Sequence, residues 1–257
     1  MGKSHVGDLL RSIAQQVQAG FKEERRILSF GEYLELFANS PQQYSRDAVQ
    51  YLHDAFDHYG EYKVDKPWGA QTRFRLFDLP WLEGQAARHE GLIGQEGVQA
   101  EVYRALANFV REGRANRLPL LHGPNGSAKS TVVRCIAQAL EHYSTLEVGA
   151  LYRFHWIFPN MNVLRGAIGF GGKAGSKAVP TESYAHLKDE QIDARLFMEI
   201  RDHPLFLLPT AQRSELLVEL LQGSGKPVAP LSHWMMRGQL SHKNRQIFDA
   251  LLLSYEG

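Results

Sequence analysis

Twelve consecutive residues, "LLHGPNGSAKST" from Leu120 to Thr131, hold the residue types that phosphate chemistry needs. The phosphate-binding pattern G-x-x-x-x-G-K-[ST] is met by Gly123, Pro124, Asn125, Gly126, Ser127, Ala128, Lys129 and Ser130, with alanine where the pattern has its last glycine. Four requirements explain the pattern. Backbone N–H groups have to converge on the phosphates, so the loop is built from small residues such as Gly123, Gly126 and Ala128. A helix has to begin there, so that the positive end of its dipole faces the anion. A lysine, Lys129, has to reach the β and γ phosphates. A hydroxyl, Ser130 with Thr131 behind it, has to hold Mg2+. The cofactors expected are therefore ATP and Mg2+. Alanine adds one methyl and favours helices. It is tolerated at a helix mouth with negative φ and is costly only where φ is positive. The expectation is a negative φ at Ala128.

The usual counterpart of such a loop is an apolar strand ending in an acid, which serves Mg2+ and the attacking water. Leu216–Glu219 falls in a helical pattern, Phe206–Leu208 runs into Pro209, and Gln246–Asp249 lies in a terminal helix. None reads as that strand. The protein-kinase signatures, a glycine-rich loop with a lysine strand, H-R-D and D-F-G, are missing too; Arg201-Asp202-His203 reads as a helix end. A second glycine cluster, Gly166 to Gly175, contains Gly171-Gly172-Lys173. Ala174 follows where a hydroxyl is needed and no apolar strand leads in, so it reads as a loop. His203, His233 and His242 fit no metal-ligand spacing and read as surface or capping residues. Cys135 reads as a small core residue, and Trp68, Trp81, Trp156 and Trp234 as packing residues. Arg111, Arg114 and Arg117 read as a solvated turn, and Lys22 to Arg26 as a mixed-charge helix face.

The elements that must position the loop follow from periodicity. Gln95–Arg111 is an amphipathic helix with Val98, Val102, Leu106 and Phe109 on one face. Arg117–His122 is a short apolar strand, Ser130–Tyr143 a helix carrying Val132, Val133, Ile136 and Leu140, and Ala150–Phe158 a strand. Helix, strand, loop, helix, strand is the opening of an α/β nucleotide-binding core. Upstream, Ser29 and Glu32 have capping-box spacing ahead of Tyr33, Leu34 and Phe37. Ser40-Pro41 interrupts, and Ser45 opens a second helix with Val49, Leu52 and Phe56 as its stripe and Gly60 as its stop. Lys66–Gly69 is a turn and Thr72–Phe77 a strand in an otherwise helical region. Downstream, helices are expected at Asp189–Asp202, Ala211–Gln222 and Gln239–Tyr255, and His203–Pro209 is expected to be extended.

The bulk properties limit the alternatives. The chain has 257 residues, a formal charge of +1 and one cysteine, so an internal disulfide is excluded and a broad nucleic-acid surface is disfavoured. No stretch approaches the roughly 20 apolar residues of a membrane span, and the N-terminus lacks a signal-peptide run. A soluble, cytoplasmic protein without nucleic-acid or membrane partners is expected.

Alanine before the lysine makes the loop similar to those of the MCM and MoxR families of AAA+ ATPases. The stretches "SFGEYLELFANSPQQYSRDAVQYLHDAFDHYG", "LLHGPNGSAKSTVVRCIAQALEHYS", "GALYRFHW", "ESYAHLKDEQIDARL", "RDHPLFLLP" and "LSHKNRQIFDALLLSYEG" together, in this order, resemble the PrkA family of bacterial serine protein kinases. That resemblance implies an α/β fold in three parts. Residues 1–88 would be a helical N-terminal region, 89–158 the start of an AAA+ P-loop core, and 159–257 a mostly helical insertion. The core would continue beyond the last residue, with the acidic strand, sensor and arginine elements. Gly123, Gly126, Lys129, Ser130 and Thr131 would act at the phosphates, and Ile93-Gly94 would cradle the adenine. The parent would phosphorylate or remodel a protein substrate and could assemble as a homo-oligomeric ring. A MoxR-like chaperone or a non-hydrolysing regulatory module is the alternative, and steady-state hydrolysis by this chain is expected to be slight.

Overall fold

A computed structural model describes residues 27–82, 84, 90–160, 184–223 and 231–254. The expected charged face at Lys22–Arg26 and the glycine cluster at Gly166–Gly175 lie outside these residues. The chain divides into two compact units, one of Met1–Phe37 with His155–Glu199 and one of Ala38–Phe154 with Ile200–Gly257. Helices and a few strands in small sheets make it a mixed α/β chain. Among the described residues no helix is long and apolar enough to cross a membrane.

In the first unit, helix α1 (Phe30–Asn39, its last two residues already in the second unit) begins at the expected capping box. The Ser29 N–H donates to Glu32 Oε2 at 2.6 Å and the Glu32 N–H to Ser29 Oγ at 3.2 Å, so two orphan donors of the first turn are satisfied reciprocally. Strands β3 (Trp156–Pro159) and β4 (Ile192–Leu196) pair antiparallel in this unit. Two expectations change here. Ala150–Phe158 is strand only from Trp156, and Asp189–Asp202 is not a helix but a 3-10 turn (Asp189–Gln191) leading into β4. Ile192 and Ala194 pair with Pro159 and Phe158, and such cross-strand pairing outweighs a weak helical propensity.

The second unit carries the loop. After the short helix α2 (Pro41–Tyr44), helix α3 (Ala48–Tyr59) is capped by Asp47, whose side chain accepts from the Gln50 N–H at 2.9 Å, rather than by Ser45. Gly60, with φ of 75°, ends it as expected. Strands β1 (Glu61–Lys66) and β2 (Gly69–Phe74) form a hairpin about Pro67-Trp68, in a region expected to be mostly helical; a 3-10 turn (Arg75–Asp78) takes the last residues of the expected strand. The sequence of β1, EYKVDK, is charged on the exposed face and offers only two apolar residues, Tyr62 and Val64, beside Lys66 on the other, so it lacks an apolar strand signal. Trp68 at the hairpin tip is 72% exposed, so it is not a packing residue.

Helix α4 (Glu96–Glu112) ends in a Schellman motif, with Gly113 N–H on Val110 O and Arg114 N–H on Phe109 O. Helix α5 (Lys129–Thr145) follows the loop. One core unites these elements: Phe56 from α3, Phe74 from β2, Leu76, Phe77 and Leu79 from the turn beyond it, Leu92, Leu106 from α4, and Val132, Cys135 and Ala139 from α5. Phe56 meets Phe74 and Phe77 edge-on at 5.4 and 5.7 Å. Cys135 is fully buried there, and burial pushes its thiol pKa up.

Helices α6 (Thr210–Gly223), α7 (His233–Arg237) and α8 (His242–Ser254) complete the unit. The expected extended segment at His203–Pro209 is instead a 3-10 turn over Pro204–Leu207, capped by His203, and Asp202 caps the start of α8 through Ser241 N–H at 2.7 Å rather than ending a helix. His203 Nδ1 accepts from Leu205 N–H at 3.2 Å while Nε2 lies 2.8 Å from Tyr44 O, so Nε2 carries the proton. Burial holds its pKa down to about 4 against an ordinary 6.5; the Tyr44 carbonyl opposes the shift and Arg213 adds to it. The folded state therefore prefers neutral imidazole. The resulting stability is complete above the unfolded pKa of 6.5 and is lost as pH falls through about 4. The loss is about 3 kcal/mol at most. Urea midpoints measured across this window are expected to fall with pH, and His203→Gln to flatten that part of the curve. An unchanged slope in the variant would refute the assignment.

Candidate functional site

The loop leaves Leu121 and His122 and turns back into α5. Gly123 has φ of 155°, a conformation that strains any L side chain, and a Cβ there would also lie 2.8 Å from Ser127 Oγ, which would have to turn aside. Gly126, φ 81°, turns the chain in open space. Ser127 closes the loop, its N–H and Oγ both donating to Pro124 O at 3.3 and 2.8 Å.

Ala128 is the surprise. Its φ is 61° and ψ 16°, so the expectation of a negative φ is overturned. The residue packs against the core and its carbonyl accepts from Val132 N–H at 2.9 Å, which opens α5 from a left-handed residue. The position is one that glycine suits, and the alanine methyl adds a local cost. Ala128→Gly is expected to raise stability by about 0.5–1 kcal/mol, the relief of that cost less the greater freedom of glycine in the unfolded chain. Denaturant unfolding of the two proteins checks this; a destabilised variant would show that the left-handed conformation is not populated.

Lys129 turns its ammonium into the loop, donating to Gly123 O at 2.8 Å, Pro124 O at 2.7 Å and Ser127 Oγ at 3.2 Å. Ser130 is exposed on the first turn and Thr131 half-buried behind it. Pro124, Asn125 and Gly126 are exposed at the rim. No side chain caps α5, a helix of 17 residues, so its first N–H groups are left to an external acceptor. A cation at the mouth of an uncapped helix, inside a turn of small residues, is a donor set that suits a phosphate chain. Ser130 is the hydroxyl available to Mg2+.

The expected strand at Arg117–His122 does not form. Leu118 and Leu120 are 86% and 80% exposed, and residues 115–122 make no backbone–backbone hydrogen bond among the described residues. An apolar alternation sets an extended conformation, but a strand exists only where a neighbour supplies the ladder. No strand among the described residues does so. Between this segment and the end of α4 lies an open cavity of about 360 Å³, lined by Phe109, Arg111, Arg117, Leu118 and Pro119 among others. Leu216–Glu219 and Gln246–Asp249 are helical, as expected, and supply no acid-tipped strand.

Ile93 and Gly94 sit on a turn whose carbonyls are held by side chains. Leu92 is buried, whereas Ile93 is 86% exposed. Arg73 donates to Leu92 O and Gly94 O, and Gln99 Nε2 to Gly94 O at 3.0 Å. Arg73 is held in turn by Asp78 at 2.6 Å and Glu96 at 3.4 Å, with Lys66 3.2 Å from the same Glu96 oxygen. Burial pushes the Glu96 carboxyl up, but its own backbone N–H, Lys66 and Arg73 outweigh that, and its pKa is lowered. These supports, together with Glu90, which bonds to α5, escape sequence reading. They lie in turns, and no periodicity or spacing signals their partners. No family model matches the chain, and no curated protein or solved structure matches it.

Proposed function

We propose that this chain binds ATP with Mg2+ at residues 123–131, as part of a PrkA-like serine protein kinase or ATPase. The observation that carries this is the placement of the Lys129 ammonium within a glycine turn at the uncapped start of α5. On binding, Lys129 exchanges its loop carbonyls for phosphate oxygens, the first N–H groups of α5 take the remaining oxygens, and the Ser130 hydroxyl holds the metal. Bound Mg-ATP supplies a transferable phosphoryl group; a protein would receive it or be remodelled at its expense. Ile93-Gly94 offers the base an apolar perch on fixed backbone. The loop core is the start of an AAA+ P-loop domain, cytoplasmic and able to assemble as a homo-oligomer.

A specific observation favours a second reading, a nucleotide-binding module that does not hydrolyse. Among the described residues no acid-tipped strand lies beside the loop and none pairs with residues 115–122. A strand that pairs there would bring an acid to the metal. Calorimetry with Mg-ATP is expected to show saturable one-to-one binding, while phosphate release in the steady state stays near background. Absence of heat and of competition by labelled ATP would end the nucleotide reading; brisk turnover would end the second.

A further inference from the structure

Glu90 fastens the turn that presents Ile93 to the side of α5. Its backbone carbonyl accepts from Arg134 Nη2 at 3.0 Å and lies 3.6 Å from Cys135 Sγ, and its carboxylate Oε2 accepts from Gln138 Nε2 at 2.8 Å. Cys135 is six residues beyond Lys129, about 9 Å along the helix axis. The fastening is therefore displaced from the phosphate loop and aligned with it by one rigid element. At its other end the same turn is held by Arg73 and Gln99. The turn is thus braced on both sides, while the isoleucine it carries stays exposed. Bracing of exposed apolar surface at a fixed offset from an anion site is what a ligand with a phosphate end and a flat apolar end would require.

We infer that Glu90 and Gln138 are positioning residues for the nucleoside end of the ligand, setting Ile93-Gly94 at the correct offset from the loop without contacting phosphate. The inference rests on the nucleotide reading above. Gln138 lies nine residues beyond Lys129, too far along α5 to touch the phosphates. Its other amide atom, Oε1, is buried without a hydrogen-bond partner, so truncation removes an unsatisfied group along with the clasp and the fold should survive.

The test compares Mg-ATP with inorganic tripolyphosphate, which has the phosphates and no base, by calorimetry on the full chain. Gln138→Ala is expected to weaken Mg-ATP by about tenfold and leave tripolyphosphate unchanged. Glu90→Ala, which removes the acceptor of the Gln138 amide, is expected to show the same selective loss of Mg-ATP. Equal weakening of both probes in Gln138→Ala, or no weakening of either, overturns the inference while leaving the loop reading intact. Wild-type chain that binds neither probe overturns both.

Discussion

Lys129→Ala is expected to abolish measurable ATP binding while leaving the fold in place. The lysine is half-buried and its ammonium makes three contacts, all to its own loop. Those contacts are local, so truncation should change unfolding free energy by no more than about 1 kcal/mol. Binding is another matter. The ammonium is the one cation of the loop, and charge-assisted bonds to phosphate contribute roughly 1.5–3 kcal/mol each. Loss of two such bonds would weaken the complex by about 100-fold or more. Lys129→Arg keeps the charge but replaces a compact head by a planar fork with different donor directions, so a partial loss is expected. Titration of labelled ATP into the three proteins, with denaturant unfolding alongside, separates the effects. An unaltered Kd for Lys129→Ala would remove the loop from consideration as the nucleotide site.

The largest stability effect is expected at Arg213. This arginine is 1% exposed, burial lowers its pKa, and no carboxylate among the described residues pairs with it. It donates to the carbonyls of Leu208, Met236 and Gly238 and lies over the Phe206 ring at 4.8 Å. One side chain thereby ties the start of α6 to the preceding turn and to the end of α7. Arg213→Ala would open a cavity and orphan three carbonyls, at a cost of about 3–5 kcal/mol. Arg213→Met keeps most of the volume and removes the burial of a charge, so it should recover a good part of that loss. Urea midpoints for the pair decide the matter. Alanine and methionine variants of equal stability would show that packing of the stem contributes little; wild-type stability in both would show that the hub does not hold α6.

What could be read in advance shares one property. The capping box of Ser29 and Glu32, the Gly60 stop and the two long helices flanking the loop all depend on residues within a turn or two of one another. The loop belongs to the same class, since its glycines, lysine and hydroxyls are contiguous. Arg46 illustrates the opposite case. Its guanidinium reaches Asp54, Tyr143 OH and Val148 O, eight to about a hundred residues away, and nothing near Arg46 announces it. Arg73, Glu90 and Arg213 escaped for the same reason.

Ala128 and Arg117–His122 mark the boundary most sharply. Contiguous residue types by themselves determined that a glycine turn carrying a lysine leads into an amphipathic helix, because small residues, the helix start and the lysine act over a few ångströms. The sign of φ at Ala128 was decided by the tertiary structure, where core packing and the first turn of α5 hold a left-handed residue at a small energetic cost. Whether the apolar run before the loop becomes a strand was also decided there, since a ladder needs a second chain segment, and hydrophobic alternation cannot specify which segment will supply it.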